Sequence, residues 1–529
     1  MKVCILTAGV GSRMGEISHS LNKAILPTNE GAIISEIIKS FDKDTKFIIA
    51  VGYKSRQVKD YISIAHKDLS KNISFKLVDN FDKKFSGPGY SLFKCKNFLN
   101  EPFFVISCDT IIPNKIKLSN NLQKKNILFG NKVAYDLSKE YCNLEVDHKN
   151  KITKILEKKK YKNSNYFSFS GLIYVYDFKQ YWEALSKVIN KKYSPQLSDG
   201  LPSLLKKKEI YFKNIDWIDV GKFKLYQKYI NQNTNFDFSK KNEAIYIING
   251  KVIKYFKDKN IVNQRFNKSK KIKNIFPVLK KKNNFYYYNY AEGKTLYEVR
   301  NNTKIFSHFV NWAHKKLWIK STKDKQFQLN CRRFYKDKTY KRLSKILLKY
   351  KTIDKYKINE SSVSTIRILL KKIDWNKLIN GKSYFIHGDL QFDNILYRGN
   401  KNFLLLDWRH SFGNYVNKGD IYYDIAKLLG GILINYKKIK MNKFIFEEKK
   451  NKISYKILED HSILKNNFQT LYKYIIKERL NLKKIYTLTA LIYLNMSPLH
   501  HYPFDKILFG LSKEILSDKN FFEKYETDK

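Results

Sequence analysis

The chain has 529 residues, room for roughly two to four domains of ordinary size. Hydrophobic residues make up 43% and aromatics 15%, which excludes a globally disordered chain. The formal net charge of +54 raises the class of polyanion binders, but 91 of the cations are Lys and only 11 are Arg, the residue suited to bidentate phosphate and base-edge contacts.

Lys, Asn, Ile, Tyr and Phe are abundant throughout, the signature of an AT-rich coding sequence, and no nucleic-acid partner is expected. The Lys runs at 158–160, 206–208 and 280–282 read as solvated turns and helix faces, with Lys158 the exception. Five cysteines, Cys4, Cys95, Cys108, Cys142 and Cys331, form no Cys-x-x-Cys pair and no zinc-spaced cluster. They read as reduced thiols of a cytoplasmic protein. The first residues are too glycine-broken for a signal peptide, and no apolar run approaches the roughly 20 residues of a membrane span.

In chain order, Val3–Thr7 reads as a buried strand, Ala32–Phe41 as a helix, Phe47–Val51 as a strand and Ser55–Ala65 as a helix. Phe75–Val78 reads as a strand, Tyr90–Phe98 as a helix and Phe103–Ser107 as a strand. This alternation predicts βαβ units and a mostly parallel sheet. The polar, Asn-rich stretch at 230–242 is the best boundary, dividing the chain into domains 1–235 and 236–529. The second part opens with strands at 244–256 and 284–290 and then turns helical, apart from a strand–loop–strand near 384–407.

The first chemistry-bearing segment follows the first strand. Ala8-Gly9-Val10-Gly11-Ser12-Arg13-Met14 lets backbone N–H groups approach a phosphate, and Arg13 adds a cationic fork. Lys23, in Asn22-Lys23-Ala24-Ile25-Leu26-Pro27, offers a second charge. Gly-x-Gly alone is weak: the dinucleotide fingerprint needs a third glycine where Met14 stands, and a plain tight turn is the alternative.

The whole ordered string resembles the nucleotidyltransferases that activate sugar 1-phosphates or phosphocholine. Ser86-Gly87-Pro88-Gly89 is similar to that family's base and substrate loop, and Val105-Ile106-Ser107-Cys108-Asp109 to the strand ending in a metal-binding Asp. Ile155-Leu156-Glu157-Lys158 is similar to the segment holding the sugar phosphate, and Ser170-Gly171-Leu172 to a glycine-started strand. Trp217-Ile218-Asp219-Val220-Gly221 is similar to the segment with the second metal Asp. The resemblance implies nucleotide binding by Ala8, Gly9, Gly11 and Gly87, and catalysis by Arg13 and Lys23. It also implies substrate binding by Glu157, Lys158 and Gly171, and Mg²⁺ on Asp109 and Asp219. Where the family usually has a sugar-contacting glycine, this chain has Cys142 or Asn143.

The second segment is His387-Gly388-Asp389-Leu390-Gln391-Phe392-Asp393-Asn394, followed by Asp407 at the end of the apolar run 403–406. A base or orienting Asp, an Asn five residues later and a metal Asp at a following strand end are the parts phosphoryl transfer needs. The string resembles the aminoglycoside phosphotransferase and choline kinase family. That resemblance implies catalysis by Asp389, Mg²⁺ on Asn394 and Asp407, and ATP bordered by Lys254 and Glu292. The segment from Gly419 to Leu428 resembles the helix whose Asp braces the catalytic loop. Between Glu243 and Glu292 the only acid is Asp258, so the usual helix Glu partner for Lys254 is missing. Arg409, in Asp407-Trp408-Arg409, fits a neutral or anionic acceptor such as a sugar or sugar acid, and pairing with Asp420 or Asp424 is the alternative.

The expected fold is α/β: an N-terminal Rossmann-like, mostly parallel nucleotidyltransferase domain followed by a two-lobed kinase-like α+β domain. The expected function is bifunctional: phosphorylation of a small molecule by ATP, and coupling of a sugar 1-phosphate to a second nucleoside triphosphate. Two other classes stay open. One is a choline or amino-alcohol kinase fused to a CTP-dependent phosphocholine-type cytidylyltransferase, and the other a basic nucleic-acid-binding protein. A non-catalytic kinase-like binding module is a variant of the first reading, and the sequence does not address the oligomeric state.

Overall fold

A computed structural model describes residues 1–83, 85–160, 165–189, 191, 193–231 and 242–526. Most of the boundary stretch read at 230–242 therefore lies outside the described residues. The chain divides into two compact units. The first comprises the described parts of 1–232, 239–258 and 281–287, and the second those of 259–280 and 288–529.

The first unit is built on a nine-stranded sheet. Its elements in chain order are β1 (Lys2–Leu6), α1 (Ile33–Lys39), β2 (Lys46–Val51), α2 (Ser55–Ala65), β3 (Ile73–Leu77), α3 (Pro88–Phe93) and β4 (Phe103–Ser107). Then come β5 (Thr110–Ile111), β6 (Asn126–Asn131), β7 (Cys142–Val146), β8 (Ile152–Glu157), β9 (Tyr166–Val175), β10 (Ile210–Asn214) and β11 (Ile218–Asp219). The main order is β8-β7-β9-β4-β1-β2-β3, with β6 joining β9 to β10. Strands β4, β1, β2 and β3 are parallel. They read as continuous apolar runs because helices cover both faces; Val3, Cys4 and Ile5 are wholly buried. Strand β9 runs antiparallel to β4, β6 and β7.

Helix α3 begins at Pro88, two residues before the start expected from periodicity, and Lys96–Phe98 forms a separate 3₁₀ turn. A proline in the first helical turn explains the early start, because its fixed φ suits a helix and its missing N–H costs nothing there. Strand β9 begins at Tyr166, before the expected Ser170, and turns at Gly171, whose φ is +91°.

The hairpin of β12 (Glu243–Ile248) and β13 (Lys251–Phe256) belongs to this first unit. Its buried face joins the core of β1 and α2 through Tyr246, Ile253 and Tyr255. Tyr246 donates to the Ile25 carbonyl at 2.7 Å and Tyr255 to the Ser20 carbonyl at 2.9 Å, so both buried phenols are satisfied.

The second unit is mainly helical. It contains α4 (Lys259–Ser269), α5 (Lys338–Lys349), β14 (Ile395–Tyr397), β15 (Phe403–Leu405), α6 (Ile421–Leu433), α7 (His461–Lys477), α8 (Leu482–Met496) and α9 (Phe504–Ser517). Helix α6 is buried along its whole length, as its near-continuous apolar sequence requires. Among the described residues, no helix is long and apolar enough to cross a membrane.

Candidate functional site

In the first unit the site forms where β1 and β4 end. They are parallel neighbours, with Leu6 opposite Ser107, so the glycine loop and Asp109 leave the sheet side by side. Sheet neighbours of β1 lie on both sides, β2 and β4, which makes this edge the switch point where open α/β sheets bind ligands. Gly11 has φ +71°, in the region that favours glycine, and Gly9 is exposed with nothing near its missing Cβ. Ala8 is buried, and its carbonyl accepts from the Tyr53 N–H at 2.8 Å.

Lys23 is held by its own segment. Asn22 caps the short turn through Ala24 N–H at 2.8 Å and donates to the Thr7 and Tyr53 carbonyls at 3.1 and 2.7 Å. Lys23 Nζ, nearly buried, then meets Asp109 Oδ2 at 2.7 Å, and Arg13, largely exposed, reaches the same oxygen at 3.6 Å. Burial pushes the Asp109 carboxyl up, but Lys23 and then Arg13 pull it down further, and the net shift is downward. The neighbouring Cys108 thiol is pushed up to about 12 by burial, so it is no nucleophile at neutral pH.

Asp219 arrives from β11, which pairs with β5 so that Asp219 faces Thr110, the residue after Asp109. Its Oδ1 accepts from Gly221 N–H at 2.6 Å and its Oδ2 from Tyr141 Oη at 2.9 Å. The two carboxylates converge at Gly221, where an added Cβ would lie 2.8 Å from Asp219 Oδ1 and 3.1 Å from Asp109 Oδ2. Two hard oxygen donors side by side suit Mg²⁺, which commonly takes one or two carboxylates and completes its shell with phosphates and water. Among the described residues no group of three or more His, Cys, Asp and Glu side chains gathers as a metal site, so here the protein offers a pair of carboxylates only.

Glu157 Oε2 accepts from Ser198 Oγ at 2.8 Å. Lys158 is exposed at φ +49°, its N–H bonded to the Tyr141 carbonyl at 3.1 Å. Gly171 lies against Thr110, where a Cβ would stand 3.2 Å from Oγ1. Gly87 passes so close to the Pro195 carbonyl that a Cβ would lie 2.5 Å from it. Of Cys142 and Asn143, the two candidates for the place of the expected sugar-contacting glycine, both are buried, Asn143 completely. Its amide donates to the Ser138 and Lys159 carbonyls, both at 2.8 Å, and accepts from Ser168 at 2.7 Å. It therefore pins the strand ends.

In the second unit the loop 387–394 is braced from α6. Asp424, wholly buried, accepts from His387 N–H at 2.8 Å, Gly388 N–H at 2.7 Å and Trp318 Nε1 at 3.2 Å. His387 Nε2 faces the Leu406 carbonyl at 2.8 Å and its Nδ1 accepts from Asp389 N–H at 3.2 Å, which assigns the neutral Nε2–H tautomer. Burial and Lys268 hold its pKa at about 3, so this histidine orients the loop and carries no charge. Lys427 Nζ pairs with Asp389 Oδ1 at 2.8 Å and outweighs burial in keeping that carboxyl below its usual range. Asn394 donates to the Asp389 carbonyl at 2.8 Å, and its amide oxygen is the group that suits a metal.

Asp407 sits at φ +56°, a sparsely populated conformation for a residue with a side chain, at the end of β15. Arg265 of α4 meets its Oδ1 at 3.3 Å. Helix α4 carries no acidic residue. Arg409 pairs with neither Asp420 nor Asp424 among the described residues. It donates to the Ser411 carbonyl at 3.0 Å and lies 4.9 Å over the Phe334 ring, while Asp420 takes Lys484 at 3.2 Å. Glu292 is exposed in the loop before Lys294–Thr295. Lys254 is buried on β13 of the first unit.

The sequence reading did not single out Tyr141, Ser198, Arg265 or Lys427. A signal existed for Lys427, which follows Asp424 by three residues on one helix and so shares its face. Arg265 carried none, because its partner lies 142 residues away.

The comparisons with known proteins bear on the first unit's site. The family model described as Nucleotidyl transferase matches residues 2–235, and that match assigns the N-terminal region to this family. The chain is 27% identical over 224 residues to the bifunctional protein GlmU of Methanococcus aeolicus, covering 42% of this chain and 52% of that protein. It is also 27% identical over 225 residues to a bifunctional sugar-1-phosphate nucleotidylyltransferase/acetyltransferase of Sulfurisphaera tokodaii, covering 42% and 53%. The chain thus spans about half the length of these curated relatives. A crystal structure of UDP-glucose pyrophosphorylase complexed with UDP-glucose aligns with a TM-score of 0.37 and 19% identity, covering 44% of this chain and 97% of that one.

Proposed function

We propose that residues 1–235 couple a sugar 1-phosphate to a nucleoside triphosphate, releasing pyrophosphate and giving a nucleotide-activated sugar for surface glycan or capsule synthesis. The observation that carries this reading is the convergence of Asp109 and Asp219 at Gly221, with Lys23 and Arg13 on Asp109. The acceptor phosphate is already anionic, so the reaction needs positioning and charge neutralisation rather than a strong base. Mg²⁺ held by the two aspartates would neutralise nucleotide phosphates. The glycine loop supplies backbone N–H groups, and Arg13 and Lys23 offset the charge on the triphosphate. Glu157 and Lys158 bind the sugar phosphate, and Tyr141 keeps Asp219 turned toward Asp109.

We propose that residues 236–529 phosphorylate a small molecule with ATP. The braced loop supports this: Asp389 orients the acceptor hydroxyl and receives its proton, while Lys427 fixes the carboxylate and keeps it ionised. Asn394 and Asp407 are the side chains suited to Mg²⁺, and Glu292 is assigned to ATP. Both reactions consume nucleoside triphosphates, which fits a cytoplasmic enzyme acting on small molecules.

The test is a ³¹P NMR panel on the full chain. Sugars, sugar acids and choline are offered with ATP and Mg²⁺, and 1-phosphates are then offered with each nucleoside triphosphate. A sugar 1-phosphate converted to a nucleotide sugar is the expected result. Exclusive conversion of phosphocholine with CTP would replace this reading by the amino-alcohol one.

A further inference from the structure

The side chains around Asp389 carry more positive charge than the carboxylates beside them balance. Lys338 and Arg342 stand on α5, Arg409 follows β15, and Lys427 stands on α6. Lys338 Nζ lies 3.6 Å from the centre of the Phe334 ring, the same ring that Arg409 covers at 4.9 Å. Two cations therefore share one aromatic side chain. Arg342 is anchored by donating to the Asn495 carbonyl of α8 at 2.9 Å. Among the described residues, Lys338, Arg342 and Arg409 have no carboxylate within ion-pairing distance. The one acid that acts on Lys338, Asp389, is already engaged by Lys427.

Gathering like charges costs free energy, and the cost is visible. Burial, then Arg409, Arg342 and Lys427, push the Lys338 ammonium well below its usual range. Such a cluster is stable against its own repulsion when an anion sits in it. A pocket for choline or an aminoglycoside needs the opposite, carboxylates or an aromatic cage free of competing cations. Here the aromatic faces of Phe334 and Tyr423 are occupied by Lys338, at 3.6 and 5.6 Å. Lys338 and Arg342 stand on α5, a different element from the β14–β15 segment that carries Asn394 and Asp407, whereas Arg409 follows Asp407 by two residues.

We infer that the acceptor phosphorylated at the second unit's site carries an anionic group, a carboxylate or a phosphate, in addition to its hydroxyl, and that Lys338, Arg342 and Arg409 receive that group. This inference rests on the kinase reading given above. The step is balanced within it. The acceptor hydroxyl oxygen bonds to the γ-phosphorus of ATP, the bond to the β,γ-bridging oxygen breaks, ADP leaves, and the hydroxyl proton passes to Asp389.

Matched acceptors test it on the full chain with ATP and Mg²⁺. One set is galactose, galacturonate, galactose 6-phosphate and galactosamine, and the other is glycerol, glycerate, glycerol 3-phosphate and ethanolamine, with choline added. An anionic member should exceed its neutral parent in kcat/KM by on the order of tenfold or more, the scale of one charge-assisted contact. The carboxylate and phosphate arms identify which group is taken. Lys338→Met should raise KM for that anionic member on the order of tenfold with kcat changed little, leave the neutral parent unaffected, and be rescued by Lys338→Arg. Arg342→Gln gives the same split if Lys338→Met folds poorly. Preference for the neutral or cationic members, or turnover confined to water across the whole panel, overturns the inference alone. If no phosphoryl transfer to acceptor or to water is lost in Asp389→Asn, the kinase reading itself fails.

Discussion

The two units solve one electrostatic problem in different ways. In the first, the carboxylate nearest the glycine loop is held by two cations, Lys23 and Arg13, while its companion Asp219 is held by neutral donors, Tyr141 and a backbone N–H. In the second, Asp389 and Asp407 are each paired with a different cation, Lys427 and Arg265. Among the described residues no cation pairs with Asp219, so a metal held there would displace none. In the second unit, a metal bound at Asp407 would meet an oxygen already paired with Arg265 at 3.3 Å. The difference also concerns distance along the chain. Asn22 and Lys23 are positioned by loops at one sheet edge, whereas the 387–394 loop depends on a helix more than thirty residues further on.

The largest expected effect follows from the carboxylate pair. Asp219→Ala should lower nucleotidyl transfer by about 10³-fold or more, since it removes a charge the transition state uses. Phosphoryl transfer by the same variant should stay at the wild-type level, and steady-state rates for both reactions check it. Removing divalent metal with EDTA should silence both activities, with Mg²⁺ restoring them; EDTA-resistant transfer would remove the metal from the account. Next in size is Lys427→Met, expected to cost about 10²-fold in phosphorylation kcat through the loss of Asp389 positioning. If kcat held and only KM rose, Lys427 would instead be a substrate contact.

Gly221→Ala tests the convergence directly, because its Cβ would press on both carboxylates. A loss of about 10- to 100-fold is expected, the range for disturbed metal-site geometry. Tyr141→Phe is the smallest. It removes one of two donors to the Asp219 carboxylate, a charge-assisted bond worth about 1.5–3 kcal/mol in full, and because the Gly221 N–H still holds the other oxygen a loss of about tenfold in nucleotidyl transfer is expected. A Tyr141→Phe loss as large as that of Asp219→Ala would show that the phenol does chemistry of its own.

What the sequence made legible follows the same division. The parallel strands around β1 were legible because buried strands are continuous apolar runs between helices. Asp109 and Asp219 were legible as strand-end carboxylates within an ordered string, and the fold sets them side by side through the β5–β11 pairing. Periodicity did not carry the start of α3, which a proline set, nor the length of β9, which a glycine at φ +91° extends through a turn. Cys142 or Asn143 stands where a sugar-contacting glycine was expected, and the Asn143 amide is taken up by hydrogen bonds to Ser138, Lys159 and Ser168. The partners of Asp389 and Asp407 are helix residues whose positions depend on packing, and no local pattern reports a contact between residues as distant as Arg265 and Asp407.

The central claim is that one chain carries two separate reactions at two separate carboxylate sites. The most direct measurement is a crossed assay of Asp109→Ala and Asp389→Ala, each followed by ³¹P NMR in both reactions. The account predicts that Asp109→Ala loses nucleotidyl transfer and keeps phosphorylation, and that Asp389→Ala does the reverse. Variants indistinguishable from wild type in both reactions, or either variant abolishing both while remaining folded, would contradict it.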